Sequence, residues 1–239
     1  MSTGIDQAKQ AIRTQVWDLL VAERVVERGV HGYVPAFTGA AAAADRLAEL
    51  PEWQAAKVVK AVPDRAQQPV RDRAVRDGKL LYVAVPRLAA ELPFFVVDPA
   101  ASAAAAAAGE RAAHHARKVG VEGMRRVDMV VCGSVAVNRR GSRLGKGAGY
   151  TDIAVALLQE AGRIGPSTVI VTTVHPHQVI EGPIPETEQD FSVDLIVTPD
   201  EVIQCEPARR PTGLYWNNLT AAKIAAIPVL AARAAAARP

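Results

Sequence analysis

Cysteine is nearly absent: Cys132 and Cys205 are the two in 239 residues. Two thiols make neither a disulfide framework nor a zinc pattern, so a packed core must hold the chain and a reducing setting is expected. Aromatic residues reach only 5%. The core is therefore aliphatic and alanine-rich, which suits helices packed on a parallel sheet. No run of about 20 apolar residues exists, so no transmembrane helix is expected. Residues 1–10 are polar and lack the apolar stretch of a secretory signal, which makes the expected location cytoplasmic. There is no dense block of one charge. The net charge of +3 is spread along the chain, so neither a nucleic-acid partner nor a membrane partner is expected. Two familiar phosphate loops are also missing, the dinucleotide GxGxxG after a strand and the Walker GK[ST].

What is present is 49% apolar residues, enough for one α/β domain over residues 1–239, with a possible subdivision near 100–109. Apolar spacing predicts a helix over 5–28 and another over 40–50, with 54–60 passing into a strand. Strands are expected at 80–85 and 94–97. The alanine tract 100–108 reads as a helix or soft linker, followed by a helix carrying His114 and His115. The near-continuous apolar run 129–137 predicts one strand buried on both faces. A helix is expected over 155–161, a strand over 168–174, and short strands at 195–198 and 202–205, hairpinned through Pro199-Asp200. Residues 223–227 and 231–237 look like a peripheral helical tail. The alternation implies an α/β fold with a doubly wound, mostly parallel sheet flanked by helices.

The chemistry concentrates in residues 138–152, Asn-Arg-Arg-Gly-Ser-Arg-Leu-Gly-Lys-Gly-Ala-Gly-Tyr-Thr-Asp. Gly145, Gly147 and Gly149 let backbone amides approach a phosphate without a Cβ in the way. A helix start directly afterwards adds oriented N–H groups and the positive dipole end. Arg143 and Lys146 supply fixed positive charge. Asp152 is a hard oxygen ligand suited to a Mg²⁺ that bridges phosphates. The glycine alternation alone also fits a flexible surface turn.

The longer pattern Arg143-Leu144-Gly145-x-Gly147-x-Gly149-Tyr150-x-Asp152 resembles the ATP loop of the 5-formyltetrahydrofolate cyclo-ligase family. Gln178, then Pro185, Glu186 and Asp190 before the strand 193–198, follow in the family's order. Lys9 and Arg13, at i and i+4 on the first helix, match the Lys-x-x-x-Arg with which family members reach nucleotide phosphates. The resemblance is good over 127–205, fair over the first helix and poor between. It implies an ATP-dependent cyclo-ligase: ATP phosphorylates an N-formyl oxygen and a neighbouring nucleophile closes the ring, giving 5,10-methenyltetrahydrofolate from 5-formyltetrahydrofolate. It also implies a three-layer fold and a place in one-carbon metabolism.

The resemblance assigns catalysis to Lys9, Arg143 and Lys146. ATP contacts go to Lys9, Arg13, Arg143, Leu144, Gly145, Lys146, Gly147, Ala148, Gly149 and Tyr150. Mg²⁺ goes to Asp152 and Asp190. Gln178 is a candidate contact for the formyl substrate, and Tyr33 and Phe37 are further candidates by residue type, outside the stretch that resembles the family. Each has a plainer reading: Lys9 and Arg13 as a solvated helix face, Asp190 as a turn cap, Tyr150 as packing under the loop. His175 and His177 flank Pro176 after a strand and read first as loop residues, second as metal ligands. The sequence departs from the family at Thr151, where a second tyrosine is usual, and over residues 29–79. A folate slot there would draw on Tyr33, Phe37, Trp53, Arg65 and Arg71. Two alternatives stay open: ring closure on another N-formyl amide, such as oxazole formation from a formyl-glycyl intermediate, and a nucleotide-binding regulatory protein without turnover.

Overall fold

A computed structural model of the protein describes residues 4–99, 117–206 and 209–236. Helix α1 (Gly4–Ala22) buries Val16, Trp17 and Leu20 on its apolar stripe. It stops six residues before the expected end. Arg24 takes a φ of +57°, and Val26 then bridges Phe37 as a short antiparallel contact. The expected helix at 40–50 is α2 (Ala40–Ala48), and an unexpected short helix, α3 (Pro51–Ala55), follows it with Pro51 in its first turn. Strand β1 is Val58–Ala61. Helix α4 (Gln68–Arg76) was not expected; it buries only Val70 and Ala74, too thin a stripe to register as a period.

Strands β2 (Leu80–Ala84), β3 (Phe94–Val97) and β4 (Lys118–Val119) follow. The alanine tract and the helix expected around His114 and His115 lie outside the described residues. The run 129–137 is two strands rather than one, β5 (Met129–Cys132) and β6 (Ala136–Asn138), in different sheets. The break falls at Gly133-Ser134, where the Ser134 hydroxyl is hydrogen-bonded to the Thr172 hydroxyl at 2.9 Å. The rest comprises β7 (Arg143–Leu144), α5 (Tyr150–Glu160), β8 (Val169–Thr173) and β9 (Val179–Ile180). Then come β10 (Leu195–Val197), β11 (Val202–Gln204), α6 (Ala221–Ala226) and α7 (Pro228–Ala236).

The main sheet runs β11-β10-β8-β5-β1-β2-β3-β4. Its five central strands are parallel, and β3, β4 and β11 add antiparallel edges, β10 and β11 forming the expected hairpin. Successive residues of a strand face opposite sides, and the burial follows that alternation. Val58, Val130 and Ile170 pack with Ile153, Val155 and Leu157 of α5 on one face. Val59, Val131 and Leu81 pack with Leu47, Trp53 and Val70 on the other. The result is the expected doubly wound, mostly parallel α/β sandwich. A small second sheet, β7-β6-β9, carries α1 through Val16, Trp17, Leu20, Ala136 and Leu144. That docking brings the N-terminal helix to the glycine loop. Among the described residues no helix is long and apolar enough to cross a membrane.

Candidate active site

The parallel strands β1, β5 and β8 end on one side of the sheet, where doubly wound folds bind ligands. The chain leaves β5 at Gly133, turns through β6 and β7, and delivers residues 145–149 to the N-terminus of α5. Gly147 and Gly149 hold φ values of +95° and +71°, which L side chains rarely adopt. Around this loop lies a cleft of about 300 Å³.

Arg143 anchors the loop from β7. Its side chain is buried, with one guanidinium nitrogen donating to Asp152 Oδ1 at 3.1 Å and the other to the Gly133 carbonyl at 3.3 Å. Its plane lies 4.5 Å over the Phe191 ring, and its Nε is buried with no partner. Burial is the largest single influence and works against the guanidinium, but Asp152, Cys132 and Asp190 together outweigh it and Arg143 is held more firmly cationic than usual. Arg13 donates from Nε to the Gly145 carbonyl at 2.7 Å, pinning α1 to the loop. Lys9, one turn earlier, pairs with Asp190 at 2.5 Å. The Thr187 backbone N–H and hydroxyl also donate to that oxygen of Asp190. Burial pushes the Asp190 carboxyl up, but Lys9 and Thr187 hold it below its usual range. Lys146 reaches across the cleft to Asp64 Oδ1 at 3.2 Å.

The structure brings Lys9, Arg13, residues 143–150, Asp152 and Asp190 together on this cleft. Three charged lining residues were not expected. Lys223, read as part of a peripheral tail, donates to the Ala148 carbonyl at 2.8 Å and sits 4.1 Å over the Tyr150 ring. Asp64 and Asp6 also line it. A lysine in an alanine-rich helix 75 positions from its partner carries no local signal of that contact.

The candidate substrate residues scatter. Tyr33, 65% exposed, borders a second hollow of about 280 Å³, which shares Val34 and Asp64 with the cleft. Phe37 is buried, its ring edge-on to His175 at 6.2 Å. Gln178 is buried outside the cleft. Its amide donates to the Ser134 and Val135 carbonyls, and its oxygen accepts from the His175 backbone N–H. His175 Nδ1 accepts from the His177 backbone N–H, so this pair caps a turn. Trp53 is buried and donates to Asp77, and Arg71 donates to the Val62 and Asp64 carbonyls. Arg65 borders the second hollow.

Convergent cations, a glycine cradle and a helix start fit a polyphosphate. A Cβ on Gly149 would meet nothing within 4 Å, so the cradle is open. Among the described residues no three His, Cys, Asp or Glu side chains form a metal cage. Asp152, Asp190 and Asp64 are carboxylates on the cleft that could share an ion with phosphate oxygens.

One protein-family model, the 5-formyltetrahydrofolate cyclo-ligase family, matches residues 5–199. The chain is similar to the methenyltetrahydrofolate synthase domain-containing protein of Mus musculus, 36% identical over 240 residues, covering 96% of this chain and 64% of that protein. The Homo sapiens protein of the same name is 33% identical over 237 residues, covering 95% and 61%. The chain thus spans about three fifths of the length of these curated relatives. Among solved structures, the 5,10-methenyltetrahydrofolate synthetase of Aquifex aeolicus has a TM-score of 0.52 at 22% identity, over 82% of this chain and 92% of that one. That likeness speaks to the fold alone.

Proposed function

The chain belongs to the 5-formyltetrahydrofolate cyclo-ligase family, and we propose that it is an ATP-dependent ring-closing ligase acting on an N-formyl group, with 5-formyltetrahydrofolate as default substrate and 5,10-methenyltetrahydrofolate as product. One observation carries the reading: Lys9 and Arg13 from α1, and Arg143 and Lys146 from the loop, meet on one glycine cradle at the start of α5.

A formyl oxygen on nitrogen is a poor leaving group; ATP supplies the phosphoryl group with which that oxygen departs as phosphate when the neighbouring nitrogen attacks the formyl carbon. The chain's own residues position two reactants and neutralise charge. Loop amides at 147–149 and the α5 N-terminus receive phosphate oxygens. Lys146 is a partly exposed cation of the set, and among the described residues Asp64 is its ion-pair partner. Arg143 shapes the loop and is fixed by Asp152 and Phe191. Asp190 is better assigned to aiming Lys9 than to a metal, since Lys9 and Thr187 occupy it. Asp152 accepts a single hydrogen bond from Arg143 at Oδ1, so its other oxygen is the one that would hold Mg²⁺, an ion that would supply charge neutralisation at the phosphates.

A second reading keeps the chemistry and changes the substrate to another N-formyl amide. It is favoured by the fate of the folate-slot candidates: Phe37, Trp53 and Arg71 are used up in packing and turn hydrogen bonds. Phosphate release from ATP, assayed with 5-formyltetrahydrofolate and with simple formamides, tests both. Release that depends on the folate supports the first; release only with another formamide replaces it with the second.

A further inference from the structure

Among the described residues three lysines are buried, and they are not alike: Lys9 is paired with Asp190, whereas Lys60 and Lys79 have no carboxylate on their ammonium groups. Lys79 is what a structural buried lysine looks like here: its ammonium donates to the Trp53 and Ala56 carbonyls, both at 2.7 Å, and lies 5.0 Å over the Trp53 ring. Lys60 is fully buried in β1, a central strand, and its Nζ has no hydrogen-bond partner. An unpaired buried charge costs several kcal/mol, so such a group is poor structural material.

Its place is specific. Lys60 pairs in register with Tyr82 on one side and Val130 on the other. With Val58 these residues lie on the face that α5 covers, so the Lys60 side chain points beneath the start of α5. The titratable groups around it are Cys132, whose buried thiol is pushed up, and the charged Arg143, Asp64 and Asp152. Three of them, Arg143, Asp64 and Asp152, line the cleft. Asp64 borders both the cleft and the second hollow, and it follows Lys60 by four residues in the turn after β1, which puts Lys60 on the strand end leading to their junction although it lines neither. If the cleft holds a nucleotide and the hollow its acceptor, the group at that junction is the terminal phosphoryl group.

We propose that Lys60 is a positioning residue for the terminal phosphate, a buried positive charge whose field makes the cleft prefer a nucleoside triphosphate over a diphosphate. The inference rests on the nucleotide reading of the cleft. It explains why an ammonium without a partner is kept in the centre of a sheet: its counter-charge arrives with the ligand. In a low-dielectric interior such a charge acts strongly without direct contact. The preference is for the number of phosphates and is independent of the base.

The test is direct binding of ATP and of ADP by titration calorimetry to the wild-type protein, Lys60→Met and Lys60→Gln. The expected result is wild-type preference for ATP, with ATP affinity falling about tenfold in both variants and ADP affinity unchanged within about twofold. Thermal midpoints are expected to stay equal or rise in Lys60→Met, since a buried charge is removed. An unchanged ATP-to-ADP ratio, an equal loss for both nucleotides, or a wild-type protein that does not discriminate overturns the proposal. A wild-type protein that binds neither nucleotide is a different failure, that of the nucleotide reading itself. Should Lys60→Met not fold, Lys60→Gln carries the comparison, and a collapse of both variants assigns Lys60 a structural role and overturns the proposal.

Discussion

Lys146 Nζ lies 3.2 Å from Asp64 Oδ1, tying the glycine loop across the cleft to the turn after β1. Asp64 therefore competes with a bound phosphate for Lys146, and the two substitutions should act in opposite directions. Lys146→Ala is expected to weaken ATP binding about tenfold, the scale of a charge-assisted hydrogen bond. Asp64→Asn is expected to tighten it, because the lysine is released and a negative charge is lost. Calorimetric titration reads both; weakening by Asp64→Asn would contradict this role. Neither change should move stability by more than about 0.5 kcal/mol, since the pair is partly exposed.

Arg143 should behave differently. Its guanidinium spans Asp152 and the Gly133 carbonyl from a buried position. Arg143→Met leaves Asp152 without its partner and should cost about 3 kcal/mol in urea unfolding. Arg143→Lys should recover little of this, because an ammonium cannot bridge both acceptors in one plane. Full recovery by lysine would show that charge alone matters there.

Gly149 separates backbone geometry from crowding. Its φ is +71° and a Cβ would meet no atom of the protein within 4 Å. Gly149→Ala should therefore cost only about 1 kcal/mol, the strain of a left-handed residue. The methyl would still stand in the glycine loop that lines the cleft. A large loss of ATP affinity with that small loss of stability is the expected pair of results, read by calorimetry and thermal melting.

The legible parts of the molecule were those with local signals. Buried parallel strands announce themselves as short aliphatic runs, so β2, β3, β8 and β10 were readable from Leu80, Phe94, Val169 and Leu195 onward. The loop 143–152 was readable because glycine spacing and a helix start are both local. The split of 129–137 at Gly133 was not, because an apolar run does not reveal which sheet each half joins. Helix α4 was hidden by its charge, with Val70 and Ala74 as its only buried residues. Lys223, Asp64 and Lys60 were illegible for a different reason: each matters through contacts made by packing, far away in sequence. The hydrogen-bond demands of Gln178 and the burial of Phe37 are likewise set by tertiary neighbours.

Lys60 also makes a prediction about stability. Burial pushes its amine down to about 8, against an ordinary value of 10.5. Between those values the unfolded chain holds more protons on this group than the folded one, so its contribution makes stability rise with pH from about 8 to about 10.5. Below that window the folded protein must keep a buried charge. Urea midpoints of wild type and Lys60→Met should therefore converge as pH rises, with the variant more stable at pH 7. Parallel curves would show that the buried amine is not titrating.

The central claim is most directly tested by phosphate release from ATP with the full chain and Mg²⁺, measured with and without 5-formyltetrahydrofolate. The account predicts release that requires the folate, appears together with the methenyl product, and is lost in Lys146→Ala. Folate-independent hydrolysis, or no ATP binding at all, would contradict it.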